Sequence, residues 1–281
     1  MIELKYYRHW HNETGEALHP DGHKTPFSVW RWSDTSLNEA KTLAKQAAER
    51  IARRIRQGEP FPERYSYGER PLREEVLLEE KDREGNYLYV LTRNLYGSIV
   101  LNTARTMFID VDLESSAPNL SFFEWLKLLF GKRLRAEAEE EKQAKLEAEK
   151  DAIARLEEWL AVRPDWGVRV YRTKAGLRYL VTHASFEPGG KEAEEMMIFL
   201  DCDVQYRKLC KIQESFRARL TPKPWRCGCV RPPASFPYQN GTEIQQMNKW
   251  IRKYEHLSHE WATCRFVKQL GNPALDKETS T

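Results

Sequence analysis

From Ser36 onward apolar residues recur at helical spacing. Ala40, Leu43, Ala44, Ala47, Ile51 and Ile55 fall on one face, Ser36 and Glu39 have the spacing of a capping box, and Gly58 can end the helix. After Pro71 the pattern shortens. Stretches at 75–80, 87–92 and 98–102 predict strands, with a turn at Glu84-Gly85-Asn86. They lead into Met107-Phe108-Ile109-Asp110-Val111-Asp112-Leu113, an apolar strand interrupted by two acids. Residues 121–162 then open with Phe122, Phe123, Trp125, Leu126, Leu129 and Phe130 at helical spacing. They continue through a charge-rich middle, 133–150, that lacks an apolar stripe, so the segment predicts one long helix or a helical hairpin with a solvated arm. Residues 168–173 and 177–182 flank Lys174-Ala175-Gly176 and predict a hairpin. A helical stretch is expected over 191–213, although 196–200 is apolar enough for a buried strand, and 216–221 alternates like a strand before Pro222.

Read from Asp110, the order is strand, helix, strand, strand, helix, strand. That succession predicts an α+β fold with a split βαβ core (βαββαβ, as in RRM and ferredoxin-like domains), in which an antiparallel sheet carries helices on one face and leaves the other open. The expected organisation is an N-terminal α/β extension over 1–104, a core over 105–225 with a helical insertion at 121–162, and a C-terminal helical segment over 226–281.

Composition narrows the setting. With 281 residues and 41% hydrophobic content the chain can bury a substantial core. The start, MIELKYYRHWHNETG, has charges where a secretory signal needs an apolar core, and no run approaches the roughly 20 apolar residues of a membrane span. Five cysteines, an odd number without such a signal, predict reduced thiols and a cytoplasmic location. The net charge of +3 does not by itself argue for nucleic acid, so any such case rests on where the charges lie. Trp10, Trp30 and Trp32 suit either base stacking or a core, and the basic end of the first helix suits the helix dipole. Cys227-Gly-Cys229 with His256, His259 and Cys264 offers zinc ligands, but the C-x-C gap is tighter than in common zinc modules, and core cysteines are the plainer expectation.

The acid pair carries the sharpest chemistry. Strand alternation points Asp110 and Asp112 to one face, and two adjacent carboxylates repel unless they share a proton or a divalent cation. Mg2+ or Mn2+ with a phosphate is the favoured reading; a strand end facing water is the alternative. Phe108-Ile109-Asp110-Val111-Asp112, opening a βαββαβ pattern, resembles the first motif of the archaeo-eukaryotic primase superfamily, which includes primase-polymerases. That resemblance implies a palm-type sheet whose paired acids hold metals, a nucleotide-binding S-x-x-G-x-H motif and a later metal-binding aspartate. Thr173-Lys174-Ala175-Gly176-Leu177-Arg178 has the spacing of the second motif, with Thr for Ser and Arg for His, which keeps a phosphate grip while removing a proton-transfer role. For the third acid Asp201 and Asp203 are candidates. Asp203 is preferred, and its alternative role is to cap a helix. The whole chain also resembles a group of bacterial proteins, through WRWSDTSLNEA, LNTARTMFIDVDL and VRVYRTKAGLRYLVTH among other stretches, which implies a bacterial origin without pointing to any particular activity.

Two functional readings follow. The first is a metal-dependent nucleotidyltransferase of the primase-polymerase type, with Asp110, Asp112 and Asp203 as catalytic metal ligands and Thr173, Lys174, Arg178, Arg217 and Arg219 gripping nucleotide phosphates. The second is a noncatalytic nucleic-acid-binding protein with a degenerate palm, in which Arg172, Lys174, Arg178, Arg217 and Arg219 bind backbone phosphates. Nucleic acid and nucleoside triphosphates are the expected partners, with a protein partner for the arm within 121–162.

Overall fold

The computed structural model describes residues 4–60, 71–113 and 135–274. The chain divides into two compact units, one formed by residues up to 102 together with 217–261, the other by 103–216 together with the residues from 262 onward.

In the first unit, β1 (His9–Leu18) and β2 (Lys24–Ser33) form an antiparallel hairpin with unbroken register from His9 opposite Ser33 to Leu18 opposite Lys24. These strands were not anticipated, because they are largely polar and bury few apolar side chains, Trp10, Ala17 and Val29 among them. Helix α1 (Leu37–Arg56) packs on the hairpin through Ala40, Ala44, Ala47 and Ala48, whose small side chains permit close approach. Ser36 Oγ accepts from Glu39 N–H at 3.2 Å, and the Glu39 carboxylate accepts from the Ser33 hydroxyl. The expected cap is therefore present, with Ser33 rather than the Ser36 amide as the glutamate's partner.

The same unit holds a sheet in the order β3 (Glu75–Lys81), β4 (Tyr87–Arg93), β5 (Ile99–Thr103), β9 (Phe216–Arg219). Its interior is wired by a closed ring of hydrogen bonds. Arg217 donates to Glu74 at 2.8 Å and to Tyr6 Oη at 2.7 Å; Tyr6 donates to Asn102 Oδ1 at 2.7 Å; Asn102 donates to Thr92 Oγ1 at 3.0 Å; the Thr92 hydroxyl closes the circuit on Glu74. All five residues are buried. Helix α5 (Gly241–Ser258), capped by Asn240, adds Met247, Trp250 and Tyr254 to a core that includes Cys227 and Cys229.

The second unit is a sheet in the order β10 (Cys264–Gly271), β7 (Gly167–Thr173), β8 (Gly176–Val181), β6 (Phe108–Asp112), with both β7–β8 and β6–β8 antiparallel. Helix α2 (Arg135–Ala161) connects β6 to β7 in sequence and covers the face carrying Ile109, Val111, Leu177 and Tyr179. The Tyr179 hydroxyl donates to the Ala152 carbonyl at 3.1 Å, and Lys268 pairs with Glu157. Residues 121–134, with the apolar start expected for this helix, lie outside the described residues.

The α+β class stands, with two corrections to the expected core. Strand 216–219 joins β5 in the other sheet instead of completing this one, and β10 takes an outer place beside β7, where a helical tail was expected. The 191–213 stretch is two helices, α3 (Lys191–Phe199) and α4 (Val204–Gln213), separated where Asp201 adopts a left-handed conformation at φ 57°.

Glu74→Gln should lower the unfolding free energy by about 3–5 kcal/mol, because it leaves the buried Arg217 guanidinium without its counter-charge. Urea denaturation of the variant checks this, and an unchanged midpoint would show that the ring is dispensable.

Candidate functional site

Asp110 and Asp112 share the sheet face opposite α2, as strand alternation requires, while Ile109 and Val111 point toward the helix. The β6–β8 register sets Asp110 against Arg178 and Asp112 against Gly176. The hairpin carrying Lys174 and Arg178 thus adjoins the acidic strand. Its arginine, however, grips the acid: Arg178 Nε donates to Asp110 Oδ1 at 2.7 Å and a terminal nitrogen donates to Oδ2 at 2.8 Å. Arg178 is buried, and the Asp110 side chain is 29% exposed. Burial opposes the charge on Arg178, but the Asp110 carboxylate overrides it, with smaller contributions from Tyr206 and Cys264, and raises the pKa above the ordinary arginine value. Arg178 stays cationic, and Asp110 is compensated by a guanidinium.

The remaining predicted residues separate by role. Thr173 Oγ1 accepts from Gly176 N–H at 3.1 Å and so shapes the hairpin turn; Lys174 is exposed at the tip. Gly176 is fixed by close approach, since a Cβ there would stand 1.9 Å from the Val111 carbonyl oxygen. Asp203 meets β6 through its backbone, donating N–H to the Asp110 carbonyl at 2.9 Å, while its carboxylate caps α4 by accepting from Tyr206 N–H at 2.6 Å. The capping alternative is the one realised. Tyr206 donates its hydroxyl to the Phe108 carbonyl at 3.1 Å, so the start of α4 covers the outer edge of β6. Asp201 is exposed and 3.4 Å from Arg155. Arg172 is paired with Glu149. Arg217 and Arg219 belong to β9 in the other unit, where Arg217 is committed to Glu74.

Among the described residues, ligand atoms of three or more His, Cys, Asp or Glu side chains converge within 4.8 Å only at His19, Asp21 and His23. The carboxylates of Asp110, Asp112 and Asp203 form no such group. Cys227 and Cys229 are buried against Met247, Trp250 and Tyr254 and form no cluster with His256 and His259.

Comparison with known protein families, curated proteins and solved structures found no match.

Beside the ion pair, the register aligns a row of side chains across the face opposite α2: Phe266 on β10, Tyr171 on β7, Arg178 on β8 and Asp110 on β6. The Tyr171 and Phe266 rings meet edge to face at 5.8 Å, and Phe266 is 59% exposed. In the next row Arg169 holds Gln269 at 3.2 Å. Sequence reading missed this pair because β10 carries a bulge between Phe266 and Lys268 that breaks its period-two pattern. The alternation of Val168 and Val170 in β7, which turns Tyr171 to the other face, was the available signal.

Asp110→Asn should destabilise the chain by about 2–4 kcal/mol, less than for a fully buried pair because Asp110 retains some exposure. The loss is expected with or without Mn2+, and Arg178→Lys should not be silent, since an ammonium cannot span both carboxylate oxygens. Thermal melts of the two variants with and without Mn2+ test this; a stabilised Asp110→Asn variant would mean that Asp110 repels a neighbour more than it serves Arg178.

Proposed function

We propose that this chain is a noncatalytic single-stranded nucleic-acid-binding protein built on a degenerate palm-like sheet, with the face opposite α2 as its binding surface. The observation that carries this reading is the Tyr171–Phe266 pair, half-buried at Tyr171 and exposed at Phe266, in the same row as Arg178. An aromatic pair at the β7–β10 end of an antiparallel sheet offers bases a stacking platform, and stacking tolerates sequence because every base presents a π-face. In this reading Arg169 in the adjacent row and Lys174 at the hairpin tip meet phosphates. The succession β6, α2, β7, with β8 between the two strands, supports the likeness to a split βαβ palm, and the absence of β9 from this sheet supports its degeneracy.

The Asp110–Arg178 pair favours binding over catalysis. A divalent cation needs the same carboxylate oxygens that Arg178 occupies, and removing the cation–carboxylate bond of a buried guanidinium is costly. One observation keeps the nucleotidyltransferase reading in view: Asp110 and Asp112 share a face, and the Asp203 backbone docks on Asp110. In that reading a triphosphate draws Arg178 away and releases Asp110 to Mg2+ or Mn2+.

Fluorescence anisotropy with a labelled single-stranded oligonucleotide tests the proposal. Tyr171→Ala and Phe266→Ala should each weaken binding by about tenfold, within the ~1–3 kcal/mol of one stacked base. Equal affinity for wild type and both variants, or no binding by wild type, overturns it. Melting curves separate the second reading, which expects Mn2+ with a nucleoside triphosphate to raise the midpoint of wild type; the binding reading expects no such rise.

A further inference from the structure

The tip of the β1–β2 hairpin is the sequence His19-Pro20-Asp21-Gly22-His23. Its backbone is closed by two hydrogen bonds, from Gly22 N–H to the His19 carbonyl and from His19 N–H to the His23 carbonyl, each 2.9 Å. Pro20 fixes one backbone angle of the turn, and Gly22 supplies the left-handed residue at φ 90°. The two histidines therefore form a cross-strand pair flanking a three-residue turn, and their side chains emerge on the same side. Their rings stack with centroids 4.8 Å apart and an interplanar angle of 24°. Asp21 folds its carboxylate between them. Its Oδ1 is 2.9 Å from His19 Nδ1 and 2.5 Å from His23 Nδ1, and it accepts the His23 backbone N–H at 3.2 Å.

We propose that His19, Asp21 and His23 form a binding site for a divalent first-row transition cation of the zinc type. Three ligand atoms from three residues, all within 4.8 Å of one another, surround one point on a loop whose backbone is already closed. Two imidazole nitrogens and one carboxylate oxygen are a borderline ligand set, suited to Zn2+, Co2+, Ni2+ or Cu2+ and ill-suited to Mg2+, which takes oxygen ligands. Tetrahedral zinc, with ligand bonds of about 2.0–2.2 Å, holds its ligands roughly 3.3 Å apart. The hydrogen-bonded separations observed need to open by less than about 1 Å, which these partly exposed side chains accommodate without moving the turn.

Hydrogen bonding alone is a weaker account of the cluster. Exposed ion pairs contribute little. A single divalent cation at their centre satisfies all three ligands at once. Because the ligands span only five residues and the hairpin is preformed, binding pays almost no chain-ordering cost. Three protein ligands also leave a coordination position open to water or to a group from another molecule. This inference is independent of the reading of the sheet face, since the site lies in the other compact unit and takes a different class of cation.

Isothermal titration of the untagged full-length chain with Zn2+ tests the site. One equivalent should bind, Mg2+ should not compete, and His19→Gln with His23→Gln should weaken binding by roughly a hundredfold or more, about tenfold per ligand removed. Zinc-edge X-ray absorption of the loaded wild type, which needs no variant, should show two imidazoles and oxygen in the first coordination sphere. Absence of zinc binding by wild type, undiminished binding by the double variant, or sulfur scatterers at the metal would each overturn the proposal.

Discussion

A guanidinium withdrawn from water must carry a carboxylate with it, and each compact unit of this chain is organised around that constraint. In one, Arg217 is buried with Glu74 inside a ring of hydrogen bonds through Tyr6, Asn102 and Thr92. In the other, Arg178 is held at both ends of its fork by Asp110. The pairs contribute specificity as much as energy. A one-residue slip of β6 against β8 would set Arg178 opposite an apolar residue whose side chain points to the helix, stranding the charge, so the ion pair fixes the register that also defines which face meets α2. Glu74 in the same way ties the residue before β3 to β9, strands that are far apart in sequence and have two others between them in the sheet.

The same pair governs the chemistry of the acidic strand. Two carboxylates on one face ask for positive charge, and Arg178 supplies it from the neighbouring strand. Asp203, whose sequence position suggested a third metal ligand, uses its carboxylate on the first turn of α4 and lends β6 only a backbone N–H. On the same face Tyr171 and Phe266 meet edge to face, and Phe266 is exposed.

Local features of the fold were legible in the sequence. The Ser36 cap, the strands before Asp110, the hairpin around Lys174-Ala175-Gly176 and the acidic strand itself are each encoded within a few residues, by capping chemistry, alternation or turn preference. Long-range choices were not. Nothing within Phe216-Arg217-Ala218-Arg219 states that it pairs with β5 and not β6; that depends on Glu74, 143 residues from Arg217. The bulge in β10 concealed a strand, and the left-handed Asp201 divided a helix that periodicity joined. For the site, the sequence showed that Asp110 required a positive partner and that Arg178 would stand nearby. It did not show that each would satisfy the other, because a motif spacing does not distinguish an arginine aimed at a ligand from one aimed at the acid beside it. The His19-Pro20-Asp21-Gly22-His23 turn was fully local and could have been found from its Pro-Asp-Gly signature alone.

The interleaving of the two units bears on how the chain is made. The polypeptide passes from the first unit to the second after Asn102, returns at Arg217 and leaves again after Trp261. During synthesis from the N-terminus, neither unit can close in turn. The early sheet waits for β9 and α5, more than a hundred residues behind β5, and the later sheet keeps the edge of β7 unpaired until β10 emerges. Such late, long-range closure slows folding and leaves strand edges exposed on the nascent chain. An internal break within 217–261 would therefore injure both units, one by loss of its last strand's neighbours and the other by severing the path to β10.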